Sequence, residues 1–271
     1  MSARNRIPTA LEPYLRLPPE ASLILLTGTL GCNANWLTAR FVGSLLAPIT
    51  GPSEGRDGRE TAIVLVSWMR DATFWKSEAR RTTGVDTAKL SETNRYTFID
   101  CITKLQTLEE IERSIKATLA SVGERHDVVL VLDNPDVLLA LTLASAQQLG
   151  TFLLTLRSLA HSTVLVCSAD LPLLSAATAR ESQLPPTAIE AESAAFVTQQ
   201  AHNARFVAGV RELGTGAARD VSGVLRVTRG GAAYDWCEED IVEEVKEMEA
   251  LYLVQRDGQA KVFERGAAGH G

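Results

Sequence analysis

Four short runs of consecutive apolar residues, separated by segments with helical periodicity, constrain the fold of this chain more than any other feature. The runs occupy residues 22–27, 61–68, 127–133 and 162–168. Continuous apolar runs of this length are typical of strands that are buried on both faces of a parallel sheet. Their alternation with helices predicts an α/β fold with a mostly parallel central sheet flanked by helices.

Two of the intervening segments carry clear helix signals. Thr107 and Glu110 form a capping-box pattern, in which each side chain accepts a hydrogen bond from a backbone N–H at the helix start. After them, Ile111, Ile115 and Leu119 recur at every fourth position. Residues 145–159 carry a similar stripe of leucine and phenylalanine, so we expect both helices to pack an apolar face on the sheet.

The pattern changes after about residue 204, where short strands with tight turns replace the alternation of helix and strand. Residues 206–210 and 221–227 alternate in polarity, which predicts antiparallel strands added to the sheet edge. Asp220 and Gly223 are expected to fix the turn between them, with Gly223 at a positive φ. Asp257 and Gly258 separate two further strands and predict a two-residue type I′ hairpin.

We therefore expect one domain over residues 1–271, with an N-terminal extension at 1–20 and a flexible tail at 265–271. Surface loops are predicted at 50–59 and 181–187, where Gly, Pro and polar residues interrupt any periodicity.

Charge and residue usage exclude several function classes. The chain carries 27 Lys and Arg against 33 Asp and Glu, a net charge of -6. It therefore lacks the molecule-wide basic field that drives strong nonspecific binding to nucleic acid, and any RNA contact must be local or shared with partners.

The four cysteines and four histidines are scattered, which indicates reduced thiols and argues against a bound metal. The sequence also shows no apolar signal-peptide core and no run of ~18 apolar residues that would span a membrane. We expect a cytoplasmic protein.

The loop from Gly28 to Asn35 follows the first apolar run and precedes a predicted helix, the place where ligands bind in open α/β folds. A phosphate-binding P-loop at this place reads GxxxxGK[ST]. With Gly28 as the first glycine and Gly31 inside the loop, Asn33 occupies the second glycine position, Ala34 the lysine position and Asn35 the Ser/Thr position. All three chemical positions are lost, although an asparagine can still adopt a left-handed conformation and cap the helix.

Asp133 ends the third apolar run and has two interpretations. It stands where a Walker B aspartate would bind Mg²⁺, or it caps the next turn, residues 133–136. Because the P-loop lysine is missing, we favour the capping interpretation and a degenerate nucleotide site. Trp68 and Trp75 lie on apolar faces and are expected in the core.

Three separated segments resemble the family of Elongator complex protein six. Residues 215–231 read TGAARDVSGVLRVTRGG and are similar to its TGxxxDVxGxLxVxRGG stretch. Residues 129–136 (VLVLDNPD), followed by 138–141 (LLAL), resemble a second family motif. Residues 249–254 (EALYLV) and 261–263 (KVF) resemble a third. The three matches occur in family order and span most of the chain.

The resemblance implies a RecA-like ATPase fold with a degenerate nucleotide site and no catalytic residues of its own. Family members assemble with Elongator subunits four and five into a hetero-hexameric ring with two copies of each. The ring is the accessory part of Elongator, associates with the catalytic subcomplex, and supports tRNA binding and modification of wobble uridines. ATP would then bind at neighbouring subunits, and the protein would be found in the cytoplasm and also in the nucleus.

Arginines are the candidates for tRNA contact that the resemblance implies. Arg219, Arg226 and Arg229 lie in the hairpin region that faces the central opening of RecA-like rings, and guanidinium forks suit phosphate. Salt bridges at a subunit interface or on the surface are an equal alternative for them. Arg80 and Arg81, near Trp75, are weaker candidates, for which we favour a solvated helix end.

Two other functions stay open at this point. One is a self-sufficient NTPase with an unorthodox P-loop. The other is a recombinase-like paralogue that binds DNA, because one fold serves many functions.

Overall fold

One mixed sheet organises the part of the chain that the structure describes. The structure is a computed structural model that describes residues 7–47, 59–103, 107–177, 185–216, 218–234 and 244–264. The sheet has the order β3-β2-β4-β5-β1-β6-β7-β8-β9. Its strands are β1 (Leu23–Gly28), β2 (Glu60–Ser67), β3 (Tyr96–Asp100), β4 (His126–Asp133), β5 (Ser162–Ser168), β6 (Phe206–Arg211), β7 (Gly223–Arg229), β8 (Met248–Val254) and β9 (Ala260–Glu264).

Helices follow the parallel strands in turn, as the alternation of apolar runs and helical segments predicts. They are α1 (Asn35–Leu46), α2 (Ala72–Thr83), α3 (Thr87–Glu92), α4 (Leu108–Gly123), α5 (Val137–Ala140), α6 (Ala146–Arg157), α7 (Leu171–Leu174) and α8 (Ala188–Asn203). The capping box of Thr107 and Glu110 is present at the start of α4. Ser145 and Gln148 form another at the start of α6.

Alternate residues of each central strand enter two separate cores, one on each face of the sheet. One core packs β-strand side chains against α1 and Trp75 of α2. The other packs them against the apolar faces of α4, α6 and α8. Trp68 and Trp75 are 6% and 1% exposed, which confirms their core role. The α/β prediction with a mostly parallel sheet is therefore confirmed.

The N-terminal segment contributes to the first core. A 3₁₀ helix spans Thr9–Tyr14, and Leu11 and Leu15 are each 1% exposed within that core. The described part of the expected extension at 1–20 is thus packed on the domain. The tail at 265–271, residues 50–58 of one predicted loop and residues 181–184 of the other lie outside the described residues.

Strand β6 runs in a direction that the sequence did not predict. It pairs with β1 in parallel, and the antiparallel pairs begin at its other side, with β6–β7, β7–β8 and β8–β9. The reason is α8, which carries the chain back across the sheet, so that β6 starts at the same end as β1. Alternation of polarity shows that a strand is present but says nothing about its direction.

Two turn predictions near the C-terminal end of the sheet are wrong in detail. Gly223 is not among the residues with a positive φ, whereas Gly216 has φ 91°. Gly223 instead begins β7, where a Cβ would lie 2.5 Å from the Arg211 carbonyl oxygen. Glycine is needed there for close strand packing.

The β8–β9 hairpin is confirmed, but its turn is not type I′. That turn requires positive φ at two consecutive residues, and Gly258 has φ 88° while Asp257 has no positive φ. Gln255 donates its N–H to the Gln259 carbonyl oxygen, so the loop has three residues and ends in a left-handed glycine. Buried Arg40 of α1 donates to the Gly258 carbonyl oxygen at 3.1 Å and holds this loop against the domain.

No helix among the described residues is long and apolar enough to cross a lipid bilayer.

Candidate functional site: the loop after the first strand

The loop between β1 and α1 folds back on itself. Thr29 and Cys32 exchange two backbone hydrogen bonds of 3.0 and 2.8 Å, which leaves Leu30 and Gly31 at the tip of a tight turn. Gly31 has φ 85°, the conformation that a type II turn needs at its third residue. The amides of Thr29 and Cys32 are therefore used within the loop.

A third amide of this loop is taken by a carboxylate of the same chain. Leu30 donates its N–H to Asp170 Oδ1 at 2.6 Å, and Asp170 follows β5, the neighbour of β1 in the sheet. A phosphate-binding loop works by turning free amides toward its ligand. Here a protein carboxylate occupies the position of such an anion.

The start of α1 shows how the loop ends without a lysine. Asn33 Oδ1 accepts the N–H of Asn35 at 3.2 Å, but the cap residue of α1 is Ala34, and it makes no side-chain capping bond. The prediction that an asparagine caps this helix is therefore wrong, and Asn33 forms a local turn before it. The left-handed conformation lies at Gly31 and not at Asn33. Ala34 occupies the lysine position and is only 3% exposed, so this position has neither a charge nor open space. Gly28 is equally enclosed, since a Cβ on it would lie 2.9 Å from the Cys32 carbonyl oxygen.

Acidic side chains lie on both sides of the loop. Asp170 follows β5 and Glu212 follows β6, the two strands that flank β1. A Cβ added to Gly31 would overlap the Glu212 carboxylate. Because phosphate is an anion, these two charges act against its approach.

Asp133 lies at the end of β4, one strand away from β1, and is fully buried. Its Oδ2 accepts the Ser67 hydroxyl at 2.6 Å, and Ser67 Oγ accepts the Arg70 N–H at 2.9 Å. Within the turn at 133–136, the Asn134 side chain donates to Asp136 Oδ1 at 3.4 Å, and Asp136 Oδ2 accepts the Ser168 N–H at 2.9 Å, which joins the turn to the end of β5. The capping interpretation of the Asp133 side chain is therefore wrong.

Burial controls the protonation of Asp133. It raises the pKa of this carboxyl from the ordinary 3.8 to about 6, against the opposing effects of the Ser67 hydroxyl, the Arg70 charge and the Trp75 indole. Burial also raises the pKa of Asp136. With a pKa of about 6, the Asp133 carboxyl is mostly ionised at pH 7 in spite of its burial.

A cavity of about 310 Å³ adjoins the loop. Among its lining residues in the described part of the chain, Arg70 is the one basic side chain. The Arg70 guanidinium donates to the Met69 carbonyl oxygen at 2.9 Å and lies 5.3 Å from the centre of the Phe74 ring. These contacts hold it at the wall of the cavity beside the Phe74 ring of α2. The loop residues, with the Leu30 amide bound by Asp170 and Ala34 at the lysine position, do not fit a nucleoside triphosphate with its Mg²⁺.

The structure separates the five candidate arginines. Arg226 is exposed on β7 between buried Leu225 and Val227, as its alternation predicts, and Arg219 is exposed in the connection before β7. Arg229 binds Glu244 through its side chain at 2.9 Å.

Arg80 and Arg81 form the last turn of α2, as expected for a helix end. Arg81 is exposed but makes an ion pair with Glu78 at 2.6 Å, and Arg80 is exposed as well. Arg219, Arg226 and Arg80 are therefore the members of the set for which no ion pair occurs among the described residues.

Sequence reasoning missed four residues of this site: Ser67, Arg70, Asp170 and Glu212. Ser67 is the last residue of β2 and Arg70 follows that strand, whereas Asp170 follows β5 and Glu212 follows β6. The rule that ligands lie beyond the carboxyl ends of parallel strands applies to those ends as well as to β1, and would have found them.

Comparisons with known proteins support the fold. No protein-family model matches the sequence, and no curated protein matches it. The crystal structure of a KaiC-like protein from the hyperthermophilic archaeon Pyrococcus horikoshii is similar, with a TM-score of 0.55 and 16% sequence identity. The similarity covers 96% of this chain and 97% of that chain. It extends over the whole α/β architecture, and the chain therefore has a RecA-like fold.

Proposed function

We propose that this protein is a non-catalytic subunit of a hetero-hexameric RecA-like ring, the accessory ring of Elongator, and that it supports tRNA binding during wobble-uridine modification. Its partners would be Elongator subunits four and five, the catalytic Elongator subcomplex and tRNA. ATP would bind at the neighbouring subunits of the ring.

One observation carries the non-catalytic part of this proposal. The Leu30 amide, which a P-loop would offer to phosphate, is bound by Asp170 at 2.6 Å. The lysine position holds buried Ala34. The loop therefore offers a phosphate neither a cation at the helix start nor the amide at its tip.

The assignment to Elongator rests on the three resembling segments together with the RecA-like fold. The two glycines that end the first of these segments, residues 215–231, are required by the packing of the chain. Gly230 and Gly231 pass against the end of α8, where a Cβ on either would overlap a backbone carbonyl oxygen. The segment therefore fits the close packing of the chain after β7 on the end of α8.

The tRNA part of the proposal depends on the exposed arginines. Arg219 and Arg226 are exposed near the β6–β7 connection, and no ion pair of either occurs among the described residues. Arg229 and Arg81 are held by carboxylates. We therefore assign phosphate contact to Arg219 and Arg226 and structural ion pairs to Arg229 and Arg81.

A self-sufficient NTPase is the competing function, because Asp133 stands at the end of the strand where a Walker B aspartate would lie. Titration of the purified chain with MgATP in a calorimeter separates the two. We expect no binding heat with up to millimolar ATP, because the loop amides are occupied and the lysine is absent. Saturable binding that disappears in Asp133→Ala would contradict the proposal and establish an unorthodox nucleotide site.

A further inference from the structure

Asp170 stands at the N-cap position of α7 but does not cap that helix. An aspartate at this position ordinarily accepts the N–H of the second or third helical residue, and here its side chain makes no such bond. The second residue is Pro172, which has no N–H. The third, Leu173, donates its N–H to the carbonyl oxygen of Asp170 at 3.0 Å. The carboxylate is therefore not used by its own helix and binds the Leu30 N–H instead.

The cavity of about 310 Å³ beside the loop is lined by groups that donate hydrogen bonds. Among the described residues of its lining, Asp170 is the one carboxylate and Arg70 is the one cation. The other polar side chains of the lining are amides and hydroxyls, from Thr29, Asn33, Asn35, Asn134 and Ser168. Guanidinium, amide and hydroxyl groups all donate to anionic oxygens. The cavity thus has the donors of an anion site, and the anion present is a side chain of the protein.

The charge of the lining depends on Asp170. Without this carboxylate, the described residues of the lining would carry the single positive charge of Arg70 and no negative charge. Glu212 would still lie against Gly31, next to exposed Arg211, and the lysine position would still hold Ala34. We therefore expect the freed loop to bind a small anion weakly and not to bind a nucleoside triphosphate.

We propose that Asp170 closes a phosphate site of this chain. Its carboxylate holds the Leu30 amide in place of a phosphate oxygen, and inorganic phosphate or a phosphate monoester binds at the loop when this carboxylate is removed. The contact is autoinhibitory, because the chain fills the site with its own residue. The inference deepens the non-catalytic part of the proposed function and rests on the same loop, but it does not depend on Elongator.

Two substitutions in the full chain separate the charge of Asp170 from its hydrogen bond. Asp170→Ala removes both, whereas Asp170→Asn removes the charge and keeps an oxygen that accepts the Leu30 N–H. Inorganic phosphate is titrated at constant ionic strength against chloride, and the amide resonances of residues 29–32 are followed by NMR. Asp170→Ala should bind phosphate at least about tenfold more tightly than the wild type, because it frees the amide and removes a like charge. Asp170→Asn should lie between the two.

The matched control removes the amide that Asp170 occupies. Leu30 is the second residue of the turn from Thr29 to Cys32, a position that proline favours in type II turns. Leu30→Pro therefore fits the turn but has no N–H, and in the Asp170→Ala background it should abolish the gain in phosphate binding. Asp170→Ser is a second opening variant. Serine is favoured at helix N-caps, but its oxygen is one bond shorter and does not reach Leu30, so it gives the same test if Asp170→Ala does not fold.

The outcomes distinguish this inference from the proposed function. The inference is wrong if Asp170→Ala and Asp170→Ser bind phosphate no more tightly than the wild type, or if Leu30→Pro leaves the gain intact. Either result leaves the proposed function standing, since the wild-type loop remains without nucleotide. A gain in phosphate binding in a chain that purifies outside an Elongator ring would keep the inference and overturn the ring assignment.

Discussion

Gly230→Ala is expected to destabilise the protein by about 3 kcal/mol, a large effect for the addition of one methyl group. Gly230 joins β7 to the segment that packs on α8, and its N–H donates to the Arg205 carbonyl oxygen at 2.9 Å. A Cβ on Gly230 would overlap the Ala204 carbonyl oxygen and lie 2.9 Å from that of Ala201. These are backbone atoms at the end of α8, so relief of the overlap requires movement of the helix or of β7.

The matched control for this substitution is Gly214→Ala. Gly214 has no atom within 4 Å of an added Cβ and no positive φ, so its substitution should change the free energy of unfolding by less than about 0.5 kcal/mol. Urea denaturation of the three proteins measures both effects. If Gly230→Ala unfolds at the same urea concentration as the wild type, the close approach of β7 to α8 is wrong.

Asp133→Asn is expected to stabilise the protein increasingly as the pH rises from 4 to 7. The pKa of Asp133 is about 6 in the folded chain against an ordinary 3.8, so the folded state holds this proton more tightly than the unfolded state. Its contribution is fully present below pH 4 and is lost as the pH rises through 6, which corresponds to about 3 kcal/mol. An asparagine does not ionise and keeps an acceptor for the Ser67 hydroxyl.

Denaturation of the wild type and Asp133→Asn at pH 4 and pH 7 checks this prediction. The difference between the two proteins should shift by about 2 kcal/mol in favour of the variant between these pH values, because part of the effect is already lost at pH 4. Glu124→Gln, at an exposed position after α4, serves as a control and should show a change below about 0.5 kcal/mol at both values. If the difference in the free energy of unfolding between wild type and Asp133→Asn is the same at both pH values, the Asp133 carboxyl is ionised and solvated throughout. That result is expected of a carboxylate that binds Mg²⁺.

Most of the fold could be predicted from local patterns in the sequence. The four apolar runs became β1, β2, β4 and β5 because strands that are buried on both faces need apolar residues at every position. The capping box at Thr107 and the stripe after it located α4 for the same local reason. Such patterns could not predict strand direction, since β6 is parallel to β1 only because α8 crosses the sheet before it.

The site was predicted in part. The lost lysine at Ala34 could be found by spacing alone, because the P-loop motif is contiguous. The bond between Leu30 and Asp170 could not, since the two residues are 140 positions apart and meet only because β5 lies beside β1. The use of Gly223 for strand packing instead of a positive φ likewise depends on Arg211 and Tyr252, which approach it from neighbouring strands.

Native mass spectrometry of the tagged protein purified from its own host tests the central claim most directly. The account predicts a complex with two copies each of three different RecA-like chains, of which this chain is one. A monomer or a homo-oligomer would contradict it, and would return attention to the loop at Asn33, Ala34 and Asn35 as a possible active site.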